Sequence, residues 1–455
     1  DTGIMAEAGI VMDMDSGAIL YGQNIHLTYP PASITKILTA LIVLENCNLD
    51  DTVTFSTTAV NQVEADSGNK ISVVAGDQLS VEDCLYSMLL VSCNQAANAL
   101  AEHTAGSISA FVNMMNEKLA QLGCQESHFE NPSGLNGDNQ YVSAYDMALI
   151  AQAAYDNETL VEISSATTHR IAPTTQNPDG FTIRGEHRLC VTEDPSSPYY
   201  YPEAVAGKTG YLIKAGNTLV TYAVKDNRRL ISVILKGQPR QYFVDGKALL
   251  EFGFRSFQDY TVADYESRYV TGNETINLDK GSFQASDLMI DPDSVITLPN
   301  SASFEDADIT LGALPEISPD NAVALLTYSY NDRTIGTAYL LAKDGVTIDG
   351  NDSAAEAATT AFDTANAEAP LATASNAEKP QRPHKHISVA GVLITILIVL
   401  LVLGVIGLIS WFIYSKKKEA KALAKRRERR RQRLQRSGEE EEFERLLAEY
   451  KNKKK

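Results

Sequence analysis

Residues 387–414, ISVAGVLITILIVLLVLGVIGLISWFIY, run for 28 positions without a charged side chain. About 20 apolar residues carry a helix across a bilayer core, so this run predicts a single transmembrane helix with some tilt. A buried core helix is the competing reading, but core helices of this length keep a polar face and this one has none. Trp411 and Tyr414 stand at one end, where an aromatic belt would lie, and Lys416, Lys417 and Lys418 follow directly. The positive-inside rule then puts the tail, residues 415–455, in the cytoplasm and residues 1–386 outside. The chain begins at Asp1 with no apolar leader, so removal of a signal peptide from an exported body is expected.

Charge changes sign at the same boundary. The 455-residue chain carries a net charge of −19, from 39 basic and 58 acidic side chains. The tail from Ser415 onward holds 17 of the basic and 8 of the acidic ones, which leaves 22 and 50 in the body. A body this acidic repels phosphates, so nucleic acid is not an expected partner. The basic tail can approach anionic lipid headgroups. The five cysteines, Cys47, Cys84, Cys93, Cys124 and Cys190, show neither CxxC spacing nor paired histidines. They read as small buried hydrophobes, not as a disulfide framework or a zinc site, and no metal or cofactor is expected.

Within the body, residues 1–258 mix helical and strand-like patterns. A hairpin is predicted around Asp15-Ser16-Gly17, a helix from Ala32 or Ser33 to Glu45, and two helical pieces over 81–102 that break near Ser92-Cys93-Asn94. Helices follow over 107–123 and 143–155, then β-type runs over 204–237 that turn at Asp226-Asn227, then helical spacing over 243–254. This predicts an α+β domain: an antiparallel sheet with a helical cluster. Residues 259–345 read as a small β-rich domain with a hairpin around Asn331-Asp332, and 346–386 as a disordered linker. The tail reads as a stop-transfer flank followed by a solvated charged helix.

Three short motifs carry possible chemistry. Ser33-Ile34-Thr35-Lys36 opens a long apolar helix, which sets a lysine one turn from a serine; a lysine made neutral by burial can take the hydroxyl proton. The same Ser-x-x-Lys pattern at Ser67–Lys70 and Ser415–Lys418 has no apolar helix behind it. Ser92-Cys93-Asn94 joins two helical pieces, where a hydroxyl and an amide can face a cleft or simply cap a helix. Lys208-Thr209-Gly210 lies on a predicted strand, with a glycine that lets another backbone come close and a lysine that adds positive charge. An exposed edge strand there can pair with an extended peptide.

In this order the three motifs resemble those of penicillin-binding proteins and serine β-lactamases, and the chain resembles the low-molecular-mass penicillin-binding proteins, the D-alanyl-D-alanine carboxypeptidases of peptidase family S11. The stretches PPASITKILTALI, NPSGL at 131–135, SAYDMALIA at 143–151 and KTGYLIKAGNTLV support it, and the likeness covers about residues 5–258. The resemblance implies a β-lactamase/transpeptidase-like catalytic domain with Ser33 as nucleophile, Lys36 as its base and Ser92 as the third catalytic residue. It implies that Asn94, Lys208, Thr209, Gly210 and Tyr211 bind substrate, and that the N–H groups of Ser33 and Tyr211 form an oxyanion hole. The implied substrate is a peptidoglycan stem peptide ending in D-Ala-D-Ala, and β-lactams would acylate the same serine. Three departures stand out. Cys93 fills the middle of the second motif, Gln140 stands where many relatives have histidine, and Tyr242 takes a position where many have an arginine for the substrate carboxylate. Arg240 is the expected substitute for that arginine. Two other readings remain: a β-lactamase-like hydrolase, which would need a placed glutamate and water, and a non-catalytic wall-binding protein that kept the fold.

Overall fold

The computed structural model describes residues 2–64, 67–315 and 317–348. The predicted transmembrane run 387–414, the tail, and the linker from residue 349 onward lie outside the described residues. No helix among the described residues is long and apolar enough to cross a membrane.

The first sheet is antiparallel and five-stranded, in the order Ile19–Gln23, Ala8–Asp13, Arg228–Gly237, Gly216–Lys225, Ala204–Leu212. Its strands show why the sequence reads as β-type. Ile10, Met12, Val220, Ile231, Val233 and Leu235 bury on one face, while Val11, Leu219, Leu230 and Ile234 bury on the other. That period of two is what a sheet covered on both faces requires. The helix Gln241–Ser256 covers one face through Phe243, Leu249 and Leu250. The helical cluster covers the other, beginning with Ala144–Tyr155. Behind that helix lies Lys36–Asn46, whose residues Lys36 to Val43 are all buried, so it is a central helix without a polar face. Ile108–Gln121 is one-sided by contrast, with Phe111, Met115 and Leu119 buried at four-residue spacing.

The turns follow their residues. Asp226 and Asn227 have φ of 51° and 63°, and Asn331 and Asp332 have 50° and 60°. Two successive positive values make the hairpin turn that asparagine and aspartate tolerate best. At the first hairpin, Asp13 Oδ1 accepts from the backbone N–H groups of Asp15 and Ser16. The break predicted near Ser92 falls between the helices Val81–Leu90 and Asn94–Ala105. One boundary differs from the sequence reading. The predicted helix from Ser33 starts as a 3₁₀ turn, Ala32–Thr35, and becomes α-helical only at Lys36. Ala32 has φ +52°, which breaks the helix at its start. The helix Glu158–Ser165 and the ribbon of Thr168–Ile171 with Phe181–Arg184 escaped the sequence reading, because neither is long enough to show a period.

The helix Gln241–Ser256 runs straight into the strand Phe257–Thr261, the edge of a second sheet. That sheet orders Phe257–Thr261, Val295–Pro299, Arg333–Ala342, Ala322–Tyr330 and Asp308–Gly312, with Leu288–Ile290 also paired to Arg333–Ala342. It has its own core around Leu288, Ile296, Leu326, Tyr328 and Leu340. Arg228 ties the two sheets: it donates to Asp13 Oδ2 (3.2 Å), Asp259 Oδ2 (2.9 Å) and the Phe257 carbonyl (2.9 Å). Ser16 Oγ and Thr297 Oγ1 meet at 2.7 Å beside it.

Candidate active site

The 3₁₀ turn that carries Ser33 is wedged between two chain segments. On one side the edge strand Ala204–Leu212 passes so close that a Cβ on Gly210 would stand 2.8 Å from the Ser33 nitrogen. On the other, Gly134 (φ +81°) packs its Cα face on the Ala32 carbonyl, where a Cβ would overlap the oxygen. Only glycine meets both demands at 134, a positive φ and no side chain. Thr218 Oγ1 donates to the Pro31 carbonyl at 2.9 Å and Thr35 Oγ1 to the Ala32 carbonyl at 2.9 Å, which fixes the turn from below.

Residues three apart nearly eclipse on a 3₁₀ turn, and Lys36 Nζ lies 3.0 Å from Ser33 Oγ. The lysine is fully buried. Nζ also donates to Asn94 Oδ1 at 2.8 Å and to the Ser133 carbonyl at 2.5 Å. Burial, and then the nearby charge of Lys208, hold its pKa well below the usual lysine range. A neutral amine keeps two N–H donors and one lone pair. The two fixed acceptors take the donors, so the lone pair is left facing Ser33 Oγ.

The second motif lies between its two helices as expected. Ser92 has φ +61°, a left-handed conformation uncommon for a residue with a Cβ, and it lines the cleft beside Ser33. Asn94 is buried and lines the cleft, and its carbonyl oxygen accepts from Lys36. Cys93 is fully buried and caps the following helix, its Sγ accepting from the Ala96 N–H at 3.4 Å. Burial pushes its thiol up to about 11. All five cysteines are free thiols: Cys84, Cys93 and Cys124 buried, Cys47 and Cys190 half-buried.

The third motif lies on the edge strand, where Lys208 pairs with Val220 and Gly210 with Thr218. Lys208 is buried and donates to the Thr209 carbonyl at 2.9 Å. Burial lowers its pKa to about 8, Glu186 opposes that shift, and Lys70 adds to it. Thr209, Gly210 and Tyr211 line a cleft of about 700 Å³ together with Ser33, Ser92 and Asn94. Arg240 does not join them. It stands exposed with φ +65° at the head of the helix Gln241–Ser256 and is absent from the cleft lining, whereas Tyr242 and Phe243 are part of it.

Several site residues escaped the sequence reading. The Ser133 carbonyl is a backbone atom, so no side-chain motif announces it. The loop that presents it is folded by Asn131 Oδ1, which accepts from the N–H groups of Ser133 and Gly134. Gln140, given no role from sequence, is buried and closes the same loop: its Oε1 accepts from the Glu130 and Asn131 N–H groups and its Nε2 donates to the Leu135 carbonyl. The rim carries Glu64, Lys70, Glu186 and Arg188. Lys70 belongs to the Ser67–Lys70 copy of Ser-x-x-Lys; it is not a second catalytic pair, but it bonds Glu186 at 3.2 Å across the cleft mouth.

Comparison with known proteins agrees with this geometry. The family profile Peptidase_S11, D-alanyl-D-alanine carboxypeptidase, matches residues 1–238. DacB2, a D-alanyl-D-alanine carboxypeptidase of Mycobacterium tuberculosis, is 34% identical over 255 residues, which is 55% of this chain and 82% of the relative. DacF of Bacillus subtilis is 29% identical over 261 residues, 56% of this chain and 64% of that protein, so under two thirds of its length is spanned. Among solved structures, a penicillin-binding protein homologue of Mycobacterium tuberculosis superposes with a TM-score of 0.50 at 31% identity, covering 55% of this chain and 92% of that one. A Streptomyces K15 DD-transpeptidase variant gives a TM-score of 0.50 at 27% identity, covering 55% and 98%. The chain belongs to the D-alanyl-D-alanine carboxypeptidases of peptidase family S11, a family of serine-type carboxypeptidases.

Proposed function

We propose that this chain removes the terminal D-Ala from peptidoglycan stem peptides through an acyl-enzyme on Ser33. One observation carries the proposal: Lys36 Nζ, fully buried, lies 3.0 Å from Ser33 Oγ, with its other hydrogen bonds taken by Asn94 and Ser133. The neutral amine accepts the hydroxyl proton as Oγ attacks the carbonyl of the penultimate D-Ala. Negative charge develops on that carbonyl oxygen, and the Ser33 and Tyr211 N–H groups donate to it from the gap that Gly210 keeps narrow. The proton passes to the departing D-Ala nitrogen, with the Ser92 hydroxyl positioned to relay it. Water then cleaves the ester by the same route and releases the shortened peptide. A β-lactam ring opens on the same serine.

The uncharged run 387–414 and the basic residues after it support a single-pass anchor in the lipid bilayer, with the catalytic domain outside the cell and the tail in the cytoplasm. The purified full chain should release D-Ala from diacetyl-L-Lys-D-Ala-D-Ala. Absence of release with penicillin binding retained would leave an endopeptidase or transpeptidase instead.

A further inference from the structure

A carboxypeptidase must hold the free carboxylate of its substrate, and the cations lining the cleft are few. Lys70 is committed to Glu186 at 3.2 Å. Lys208 is buried and is not among the residues lining the cleft, with Nζ donating to the Thr209 carbonyl. Burial also brings its pKa down to about 8, so its charge fades in mildly alkaline solution. Arg240, the sequence candidate, lies outside the cleft. Lys214 occupies the exposed turn between the strands Ala204–Leu212 and Gly216–Lys225.

Arg188 is different. It is exposed too and, like Lys214, lines the cleft with no carboxylate partner among the described residues, but unlike Lys214 its guanidinium is packed on an aromatic ring. Its guanidinium lies 5.0 Å over the Tyr199 ring. Tyr199 packs edge-on against Phe243 (5.5 Å), and Phe243 lies tilted against Tyr242 (4.2 Å), so the ring under the guanidinium is itself braced by two others along one wall. Its backbone is pinned as well. The preceding residue, His187, is buried, and its Nε2 contacts the Val220 carbonyl (3.1 Å) and Thr221 Oγ1 (3.2 Å) on the strand that pairs with Lys208. The cleft therefore presents a guanidinium that rests on an aromatic ring and is unmatched by an acid among the described residues.

We propose that Arg188 is the specificity residue that holds the substrate's C-terminal carboxylate; the proposal rests on the carboxypeptidase reading above. The test uses the purified full chain and two peptides, diacetyl-L-Lys-D-Ala-D-Ala and its C-terminal amide. Arg188→Gln should lower kcat/KM on the free acid about 10- to 100-fold, the worth of one charge-assisted hydrogen-bonded pair. Most of that loss should fall in KM, and the preference for acid over amide should shrink by the same factor. Arg188→Lys should recover part of it, Lys214→Gln should change kcat/KM less than about threefold, and the melting temperature of Arg188→Gln should match wild type. Equal losses on acid and amide would mean that Arg188 only supports the wall, and an unchanged acid preference would likewise overturn the proposal. If wild type releases D-Ala from neither peptide, the carboxypeptidase reading itself fails.

Discussion

Replacing Gly210 with alanine puts a methyl carbon 2.8 Å from the Ser33 nitrogen and against Thr218 Oγ1. Gly210 does not occupy the left-handed region, so the strand backbone accepts alanine without strain. The whole effect must come from crowding. Reaching an ordinary contact of 3.4 Å requires the strand and the Ser33 turn to part by about half an ångström. That separation opens the gap between the Ser33 and Tyr211 N–H groups and lengthens one hydrogen bond to the developing oxyanion. Loss of one such donor costs about 10²–10³ in rate. The same methyl presses on the bond from Thr218 to the Pro31 carbonyl, an overpacking cost of about 1–3 kcal/mol in stability. The assay is stopped-flow acylation by a fluorescent penicillin, with urea unfolding in parallel. Gly210→Ala should acylate at least 100-fold more slowly while remaining folded at 25 °C. Acylation within about threefold of wild type would refute the placement of the oxyanion hole between this strand and the Ser33 turn.

Three further predictions follow from the same geometry. Lys36→Arg keeps a positive charge but cannot give up a proton near neutral pH, so acylation should fall about 10²–10⁴-fold, and the wild-type rate should rise with pH as Lys36, its pKa lowered by burial, becomes neutral. Lys208 is cationic below about pH 8 and neutral above it, so kcat/KM on the free-acid peptide should decline above pH 8, and Lys208→Arg should move that alkaline limb upward; a limb that stays in place would remove Lys208 from substrate binding. Arg228→Gln leaves Asp13 and Asp259 facing each other without their shared guanidinium, and should cost about 3 kcal/mol or more in urea unfolding while leaving penicillin acylation of the folded protein unchanged.

Much of the site was legible because its chemistry is local. Ser33 and Lys36 lie one turn apart in sequence, the Ser92 break interrupts an apolar helix, and Lys208-Thr209-Gly210 lies in a β-type run, so spacing and context singled them out. The hairpin turns at Asp226-Asn227 and Asn331-Asp332 were legible for the same reason, since two residues specify them. What sequence missed depends on tertiary approach. The Ser133 carbonyl serves Lys36 across 97 residues, and no residue type marks a backbone acceptor. Asn94 lines the cleft as its motif implied, but the bond its oxygen accepts from Lys36 spans 58 residues and no local pattern announces it. Arg240 is close in sequence to Tyr242 but stands outside the cleft lining at the head of its helix, whereas Arg188, 52 positions upstream, lines the cleft from the short helix Arg188–Val191. Gly134 and Gly210 read as turn and strand glycines; only the packed structure shows that each makes room for the Ser33 turn.

The central claim is that Ser33 is the nucleophile with Lys36 as its base. Peptide mapping by mass spectrometry after reaction with benzylpenicillin tests it most directly. The penicilloyl adduct should lie on Ser33 and be absent from a Ser33→Ala protein that melts like wild type. An adduct on any other residue, or labelling that survives Ser33→Ala, would contradict the account.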